Sequence, residues 1–553
     1  VTTDPLTQIS TRRTPQSQPA DARQVANSAG GFTFTVDALQ RLRRFLTLGV
    51  DGGTYYASAR DLAVENAKVV VEFAQSDPAT LVHEVVAVST AGRAPRVQPT
   101  IFALAVAASL ADVDGRRTAL NALPLVARTG THLFQFVTYV EQFRGWGRAL
   151  KRAVGAWYTT PPVDRVAFQA VKYRQREGWS HRDLLRLAHP EVAATDPSRR
   201  ALFNWICGRD PEFGLPRVPE DDPLRIVEGF ERVRHETSAQ RAAALVRDYR
   251  LSWEMLPDAV INTTAVWEAL LENGVPATAL IRQLPRLTRL GMLQPLGHWT
   301  GVVAAQLQDV DRLKRGRVHP INVLVAQRTY ASGRGARGSQ TWQPSRPVVD
   351  ALDAAFYAAY GAIEPANRRM LLALDVSGSM DSRISDMPLT CREASAALAL
   401  VTAATESNYE IIGFTSRDGR HPRTMADVRR NTGISPLAIS PRQRLDDVVR
   451  TVSGLPFGGT DCALPMLYAA ERNLEVDSFV VYTDNETWHG DVHPFQALRD
   501  YRQKTGIPAR LTVVGMTATR FTIADPSDPG MLDVAGFDST VPQLISDFAR
   551  GDV

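Results

Sequence analysis

Between Phe32 and Leu324 apolar residues recur every three or four positions, and strand-like alternation is rare. In "TVDALQRLRRFLTLG" the residues Leu39, Leu42, Phe45 and Leu46 fall on one helical face. Asp37 stands at the N-cap with Gln40 three residues on, a capping-box spacing, and Gly49 ends the segment. The same grammar returns in "TIFALAVAASLAD", "THLFQFVTYVEQF", "HRDLLRLAHP", "AQRAAALVRDYRL", "TAVWEALLENG" and "ATALIRQLPRLTRLG". Short helices bounded by Gly, Pro, Ser or Asp predict stacked helix pairs in a solenoid, a prediction carried by rhythm because no exact repeat accompanies it.

The pattern changes after "YASGRGARGSQTWQPSRP", Tyr330 to Pro347. That stretch reads as a surface linker, with an RNA-contacting Arg-Gly element as the alternative. Beyond it "RMLLALDVSG", "YEIIGFTS", "DSFVVYTDN" and "ARLTVVGMT" are short apolar, often β-branched runs that end on polar residues. Helical stretches such as "REASAALALVTAAT" and "CALPMLYAAERNL" separate them. Strands alternating with helices predict a doubly wound parallel sheet covered on both faces.

A chain of 553 residues exceeds one hydrophobic core and must divide. The first thirty or so residues are rich in Thr, Gln, Pro and Ser and lack the apolar core of a secretory signal, so they are expected to form a flexible tail. No run of eighteen apolar residues predicts a membrane span. Three widely spaced cysteines (Cys207, Cys391, Cys462), with no CxxC pair, argue against a disulfide framework or a zinc site and fit a reducing cytoplasm. The net charge of +4 conceals an asymmetry. Residues 351–553 carry 19 Lys and Arg against 26 Asp and Glu, a net of −7, which leaves +11 on residues 1–350. A polyanionic partner would meet the first part.

The chemistry concentrates in two places. In "LDVSGSM", Asp375, Ser377 and Ser379 leave a predicted strand at its carboxyl end, where ligands bind in open α/β sheets. "GGTDCALP" adds Thr460 and Asp461 after a Gly-Gly turn, and "VVYTDNE" adds Thr483 and Asp484. Carboxylate and hydroxyl oxygens without His or Cys suit a hard divalent cation, for which Mg²⁺ is the expectation. The set Asp375, Ser377, Ser379, Thr460 and Asp484 resembles the metal-ion-dependent adhesion site of von Willebrand factor A domains. A nucleophile elbow would need Gly where Asp375 stands, an Asp-x-Asp phosphotransferase would need Asp at 377, and no Walker A loop occurs.

The second concentration is positive. Between Arg144 and Arg186 lie ten Lys and Arg residues, among them Arg148, Lys151, Arg152, Lys172, Arg174, Arg176 and Arg182, against Asp164, Glu177 and Asp183. Trp146, Trp157, Tyr158, Tyr173, Trp179 and His181 are interleaved. Cations neutralise phosphates and aromatics offer platforms to unstacked bases, whereas the plainer reading gives the tryptophans to the helical core. Ser180 and Asp183 make a second capping box, so Ser180 is read as a helix cap.

The stretches "GGFTFTVDALQRLRRFLTLGVDGGTYY", "GWGRALKRAVGAWY", "KYRQREGWSHRDLLRLAHP", "GGTDCALPM", "TDNE", "YRQKTGIPA" and "FTIADPSDPGMLDVAGFD" resemble, in order, the Ro autoantigen or TROVE-domain family. The resemblance implies a tail over 1–30, an α-helical ring of HEAT-like repeats over 31–350 and a von Willebrand factor A domain over 351–553. It implies a non-enzymatic, monomeric, cytoplasmic protein that binds small noncoding Y RNA on the outside of the ring. Single-stranded 3′ ends of misfolded noncoding RNA would enter its central hole, in quality control, maturation and decay with a 3′-to-5′ exoribonuclease such as polynucleotide phosphorylase. The RNA contacts would include Arg148, Lys151, Arg152, Lys172, Arg174, Arg176, His181 and Arg182. The competing reading is a metal-dependent protein-adhesion scaffold without specific RNA binding.

Overall fold

The computed structural model describes residues 13–48, 59–209, 219, 221–335, 339–361, 363–383, 389–416, 433–455, 458–517 and 519–552. Contacts divide the chain into two compact units, Val70–Ala359 and Val1–Val69 with Tyr360–Val553.

The first unit is built from helices, as the apolar rhythm predicts. Its early members are Pro78–Ala91, Gln98–Leu110, Val113–Val126, Gly130–Phe143 and Arg148–Thr159. Asp77, Asp112 and Thr129 cap three of them by accepting from Thr80, Gly115 and His132 N–H, which satisfies donors that a helix start leaves open. Gln98–Leu110 packs against the helices on either side of it and is buried along almost its whole length, hence its all-round apolar composition. The two ends of the unit meet. His319 Nε2 donates to the Arg93 carbonyl at 3.1 Å and Asn322 Nδ2 to the Pro95 carbonyl at 2.9 Å. His319 Nδ1 accepts from Ile321 N–H at 3.2 Å, so one buried imidazole both caps the helix Pro320–Ala331 and joins it to the loop after Ala91. In the glycine- and arginine-rich stretch after the last of these helices, Trp342 Nε1 donates to the Tyr330 carbonyl at 2.9 Å and its ring stacks on that of Tyr330.

The second unit holds a six-stranded sheet in the order Met531–Ala535, Arg510–Gly515, Ser478–Thr483, Met370–Asp375, Tyr409–Phe414, Ile434–Pro436. All pairings are parallel except the last. Met370–Asp375 and Ser478–Thr483 are buried at every residue, as both-face coverage requires. The topology reverses beside Met370–Asp375, so Asp375 and Thr483 end neighbouring central strands.

One expectation fails. From Arg13 onward the N-terminal stretch is no free tail: Gln16, Gln24 and Asn27 are buried. Val25–Ala26 pairs with Phe32–Thr35, and that strand pairs in turn with Phe521–Thr522. The helix Ala38–Leu48 carries the predicted Asp37 cap (2.7 Å to Gln40 N–H) but belongs to the sheet-containing unit rather than to the solenoid. Buried Arg44 holds it there, bonding both carboxylate oxygens of Asp533 at 2.6 and 2.8 Å and the Phe521 carbonyl at 2.9 Å. A Thr-, Gln- and Ser-rich composition signals disorder only when no partner satisfies the polar groups, and here the sheet unit does.

The junction His319→Ala should lower Tm by several degrees, because it removes a cap and a buried hydrogen bond worth about 1 kcal/mol each. Thermal unfolding followed by circular dichroism checks this. An unchanged Tm would mean the junction contributes nothing to stability.

Candidate nucleic-acid interface and metal pocket

The chain between Lys172 and Arg182 turns on a two-residue hairpin. Gln175–Arg176 pairs with Trp179–Ser180, and Glu177 and Gly178 both take positive φ (53° and 79°), as a type I′ turn demands. Ser180 then caps the helix His181–Ala188. Its hydroxyl and Asp183 form the predicted capping box, with Ser180 N–H donating to Asp183 at 3.0 Å. The hairpin thus has a fixed entry and a fixed exit.

Lys172, Arg174, Arg176, His181 and Arg182 line one cavity of about 860 Å³. Three further charged residues, beyond the stretch that sequence reasoning singled out, face the same space: Arg234, Glu231 and Glu254. Lys172 is nearly buried and ion-paired to Glu254 at 3.3 Å, its ammonium over the Phe168 and Tyr173 rings at 5.3 Å. Arg174 is exposed, with its guanidinium 5.3 Å above the Phe230 ring. Glu231 accepts from Arg234 at 2.8 Å and from Trp205 Nε1 at 3.1 Å. Arg176 and Arg182 are exposed.

The other predicted contacts separate from this group. Arg148, Lys151 and Arg152 are exposed on the helix Arg148–Thr159 and do not line the cavity. His181 requires correction as a surface contact. It is 2% exposed, its Nδ1 lies 2.7 Å from the Tyr158 hydroxyl, and its ring packs on Phe134 and Trp157. Burial depresses its pKa to about 4, so it stays neutral and serves the core. Trp157 and Tyr158 are core residues as well, Trp157 Nε1 donating to the Ala127 carbonyl at 2.6 Å. Trp146 and Trp179 are half-buried and meet edge to face at 5.9 Å.

In the sheet unit, Asp375, Ser377, Ser379, Thr460 and Asp484 are all buried. Asp375 accepts from Ser377 N–H at 2.9 Å and from the Thr483 hydroxyl at 2.7 Å, and the Ser377 and Ser379 hydroxyls are 3.1 Å apart. Arg392 Nη2 donates to the carbonyls of Val376 and Ser377 at 2.8 and 3.1 Å, which fixes the loop that carries the serines. Thr460 Oγ1 and Asp484 Oδ2 are buried without a hydrogen-bond partner. Burial raises the pKa of Asp375, and burial together with the Asp375 charge raises Asp484 to about 7. Two carboxylates that destabilise each other's charge beside orphaned oxygens fit a hard cation. Among the described residues no group of three or more His, Cys, Asp and Glu forms a metal cluster, which leaves an all-oxygen set with two carboxylates.

A capped helical unit followed by a largely parallel sheet with these oxygens at its switch point defines a TROVE-type protein ending in a von Willebrand factor A domain. Residues 25–368 match the TROVE domain family model and residues 369–549 match that of the Ro60 vWA domain. The chain is 44% identical to the RNA-binding protein RO60 of Deinococcus radiodurans, over 98% of each chain. It is 35% identical to the RNA-binding protein RO60 of Caenorhabditis elegans, over 96% of this chain and 90% of that one. The crystal structure of the Deinococcus radiodurans RO (RSR) protein superposes with a TM-score of 0.68 at 42% identity, covering 94% of this chain and all of that one. The chain belongs to the Ro (TROVE-domain) family.

Neutral His181 gives the helical unit an acid-sensitive term. An unfolded histidine takes a proton below about pH 6.5, whereas the folded one resists until about pH 4, so stability is full above 6.5 and falls as pH drops between those values. The loss should approach about 3 kcal/mol and be absent in His181→Gln. Urea unfolding at pH 7 and pH 4.5 measures it, and an equal loss in both proteins would refute the assignment.

Proposed function

We propose that this chain binds small noncoding RNA through the basic cavity around the Glu177–Gly178 hairpin, as a scaffold rather than as an enzyme. The observation that carries the reading is the convergence of Lys172, Arg174, Arg176, Arg182 and Arg234 on one cavity, in a family whose relatives are named RNA-binding proteins. Guanidinium groups held apart by a hairpin suit successive phosphates, and no catalytic base is needed. Arg148, Lys151 and Arg152 extend the contact along the neighbouring helix.

By family resemblance the ligand is a Y RNA, and single-stranded 3′ ends of misfolded noncoding RNA are engaged within the helical ring. The protein then works as a cytoplasmic monomer beside a 3′-to-5′ exoribonuclease such as polynucleotide phosphorylase. The oxygen pocket holds one Mg²⁺ through Asp375, Ser377, Ser379, Thr460 and Asp484. The cation would supply an open coordination position to an acidic group of a protein partner. Among the described residues no helix is long and apolar enough to cross a membrane.

Replacing Lys172, Arg174 and Arg176 together with Ala should weaken binding of a structured small RNA about 100-fold, at about 1 kcal/mol per screened contact. Glu254→Gln should tighten it about fivefold, because it frees Lys172. A filter-binding salt titration reads both, with a log–log slope near −0.7 per phosphate for single-stranded contacts. A flat salt response, or unchanged affinity in the triple variant, would favour the adhesion-scaffold reading.

Asp375→Ala should abolish Mg²⁺ binding by isothermal titration calorimetry and leave RNA affinity within about twofold, as expected for sites that share no partners. Retained Mg²⁺ binding would remove the pocket. Loss of RNA binding as well would join the two sites.

A further inference from the structure

We propose that the N-terminal segment Gln16–Gly31 is a strap that positions the divalent-metal pocket, acting through Gln16 and Asn27; the inference rests on the Mg²⁺ reading of that pocket. None of the five oxygen donors lies in this segment, yet it reaches both loops that carry the orphaned oxygens.

Gln16 is 0% exposed. Its Nε2 donates to Asp461 at 2.7 Å and to the Val492 carbonyl at 2.9 Å, and its Oε1 accepts from the Thr487 hydroxyl. That hydroxyl also faces the Thr460 carbonyl at 3.2 Å and accepts from Cys462 N–H at 3.2 Å. Gln16 is therefore one hydroxyl away from the backbone of Thr460, and it bonds directly to the residue that follows. Asn27 Nδ2 donates to the Thr487 carbonyl at 2.6 Å. Ala29 N–H donates to Glu486 at 3.2 Å, and Glu486 N–H donates to Asp484 at 3.0 Å, which ties the strap to the second loop. The fit is close enough to exclude a side chain at Gly31, where a Cβ would lie 2.0 Å from the Thr487 carbonyl oxygen.

A fully buried glutamine is costly unless every polar atom is satisfied, and here satisfaction comes from two loops meeting at one place, one carrying Asp461 and the other Thr487 and Val492. Groups that bond to the loops behind metal ligands fix ligand orientation, and their loss typically lowers affinity about 10–100-fold. Coupling is reciprocal. If the strap tightens the metal, the metal must tighten the strap.

The test uses the full-length chain and Mn²⁺ as the probe. Calorimetric titration of Gln16→Ala and Thr487→Val should show affinity about 10–100-fold below the unsubstituted protein, and Thr487→Ser, which keeps the hydroxyl, should restore it. A purely structural role would lower the metal-free Tm and leave the Mn²⁺-induced rise in Tm intact, whereas a positioning role shrinks that rise. Mn²⁺ should also slow tryptic cleavage after Arg23 in the unsubstituted protein and have no such effect in Asp375→Ala. This measurement does not depend on whether the strap variants fold. Unaltered Mn²⁺ affinity in Gln16→Ala, with Arg23 cleavage indifferent to Mn²⁺, overturns the strap while the pocket stands. Absence of Mn²⁺ binding by the unsubstituted protein removes the pocket and the strap together.

Discussion

Like charge crowded around one cavity is the constraint on which the helical unit turns. Two unit charges several ångströms apart repel by about 1 kcal/mol even in water and by more near a low-dielectric wall. Five cations sharing the space therefore repel one another, and three of them are answered locally. Glu254 answers Lys172, Glu231 answers Arg234, and the Phe230 ring answers Arg174. The answers are incomplete, since Arg176 and Arg182 face solvent. A ligand that brings many negative charges at regular spacing relieves this repulsion, and a polynucleotide backbone is such a ligand. The hairpin and the Ser180–Asp183 capping box matter because they hold the cations in place before the ligand arrives.

The sheet unit carries the opposite imbalance. Asp375 and Asp484 are buried close enough for each to raise the cost of ionising the other, and their neighbours contribute hydroxyls and no cation within the oxygen set. Arg392 lies alongside but spends Nη2 on the carbonyls of Val376 and Ser377. The proposed divalent ion would balance this arrangement as the proposed phosphate ligand would balance the other. The asymmetry of +11 over residues 1–350 and −7 over residues 351–553 is the coarse record of both.

Much of this is legible in the sequence where period and end-signal agree. The strands at Met370, Tyr409, Ser478 and Arg510, the Asp37 and Ser180 caps and the placing of Asp375 and Asp484 at strand ends all follow from local pattern. The edge strand Ile434–Pro436 escapes because three residues with a proline carry no alternation to read. Glu231, Arg234 and Glu254 escape because the fold brings them to the cavity from helices well downstream of the basic run. His181 misleads for a related reason: charge density along a chain cannot say which member of a cluster turns inward. The N-terminal segment misleads through composition, because glutamine and asparagine look solvent-bound until a partner loop supplies every hydrogen bond, as Asp461, Val492 and Thr487 do for Gln16.

Ultraviolet crosslinking of a bound small RNA to the intact protein, followed by mass spectrometric mapping of the attached peptides, addresses the central claim most directly. Crosslinks concentrated in the peptides spanning Lys172–Arg186 and Glu231–Arg234 are the predicted result. Crosslinks confined to residues 360–553, or spread evenly along the chain, would contradict a built anion-binding cavity in the helical unit.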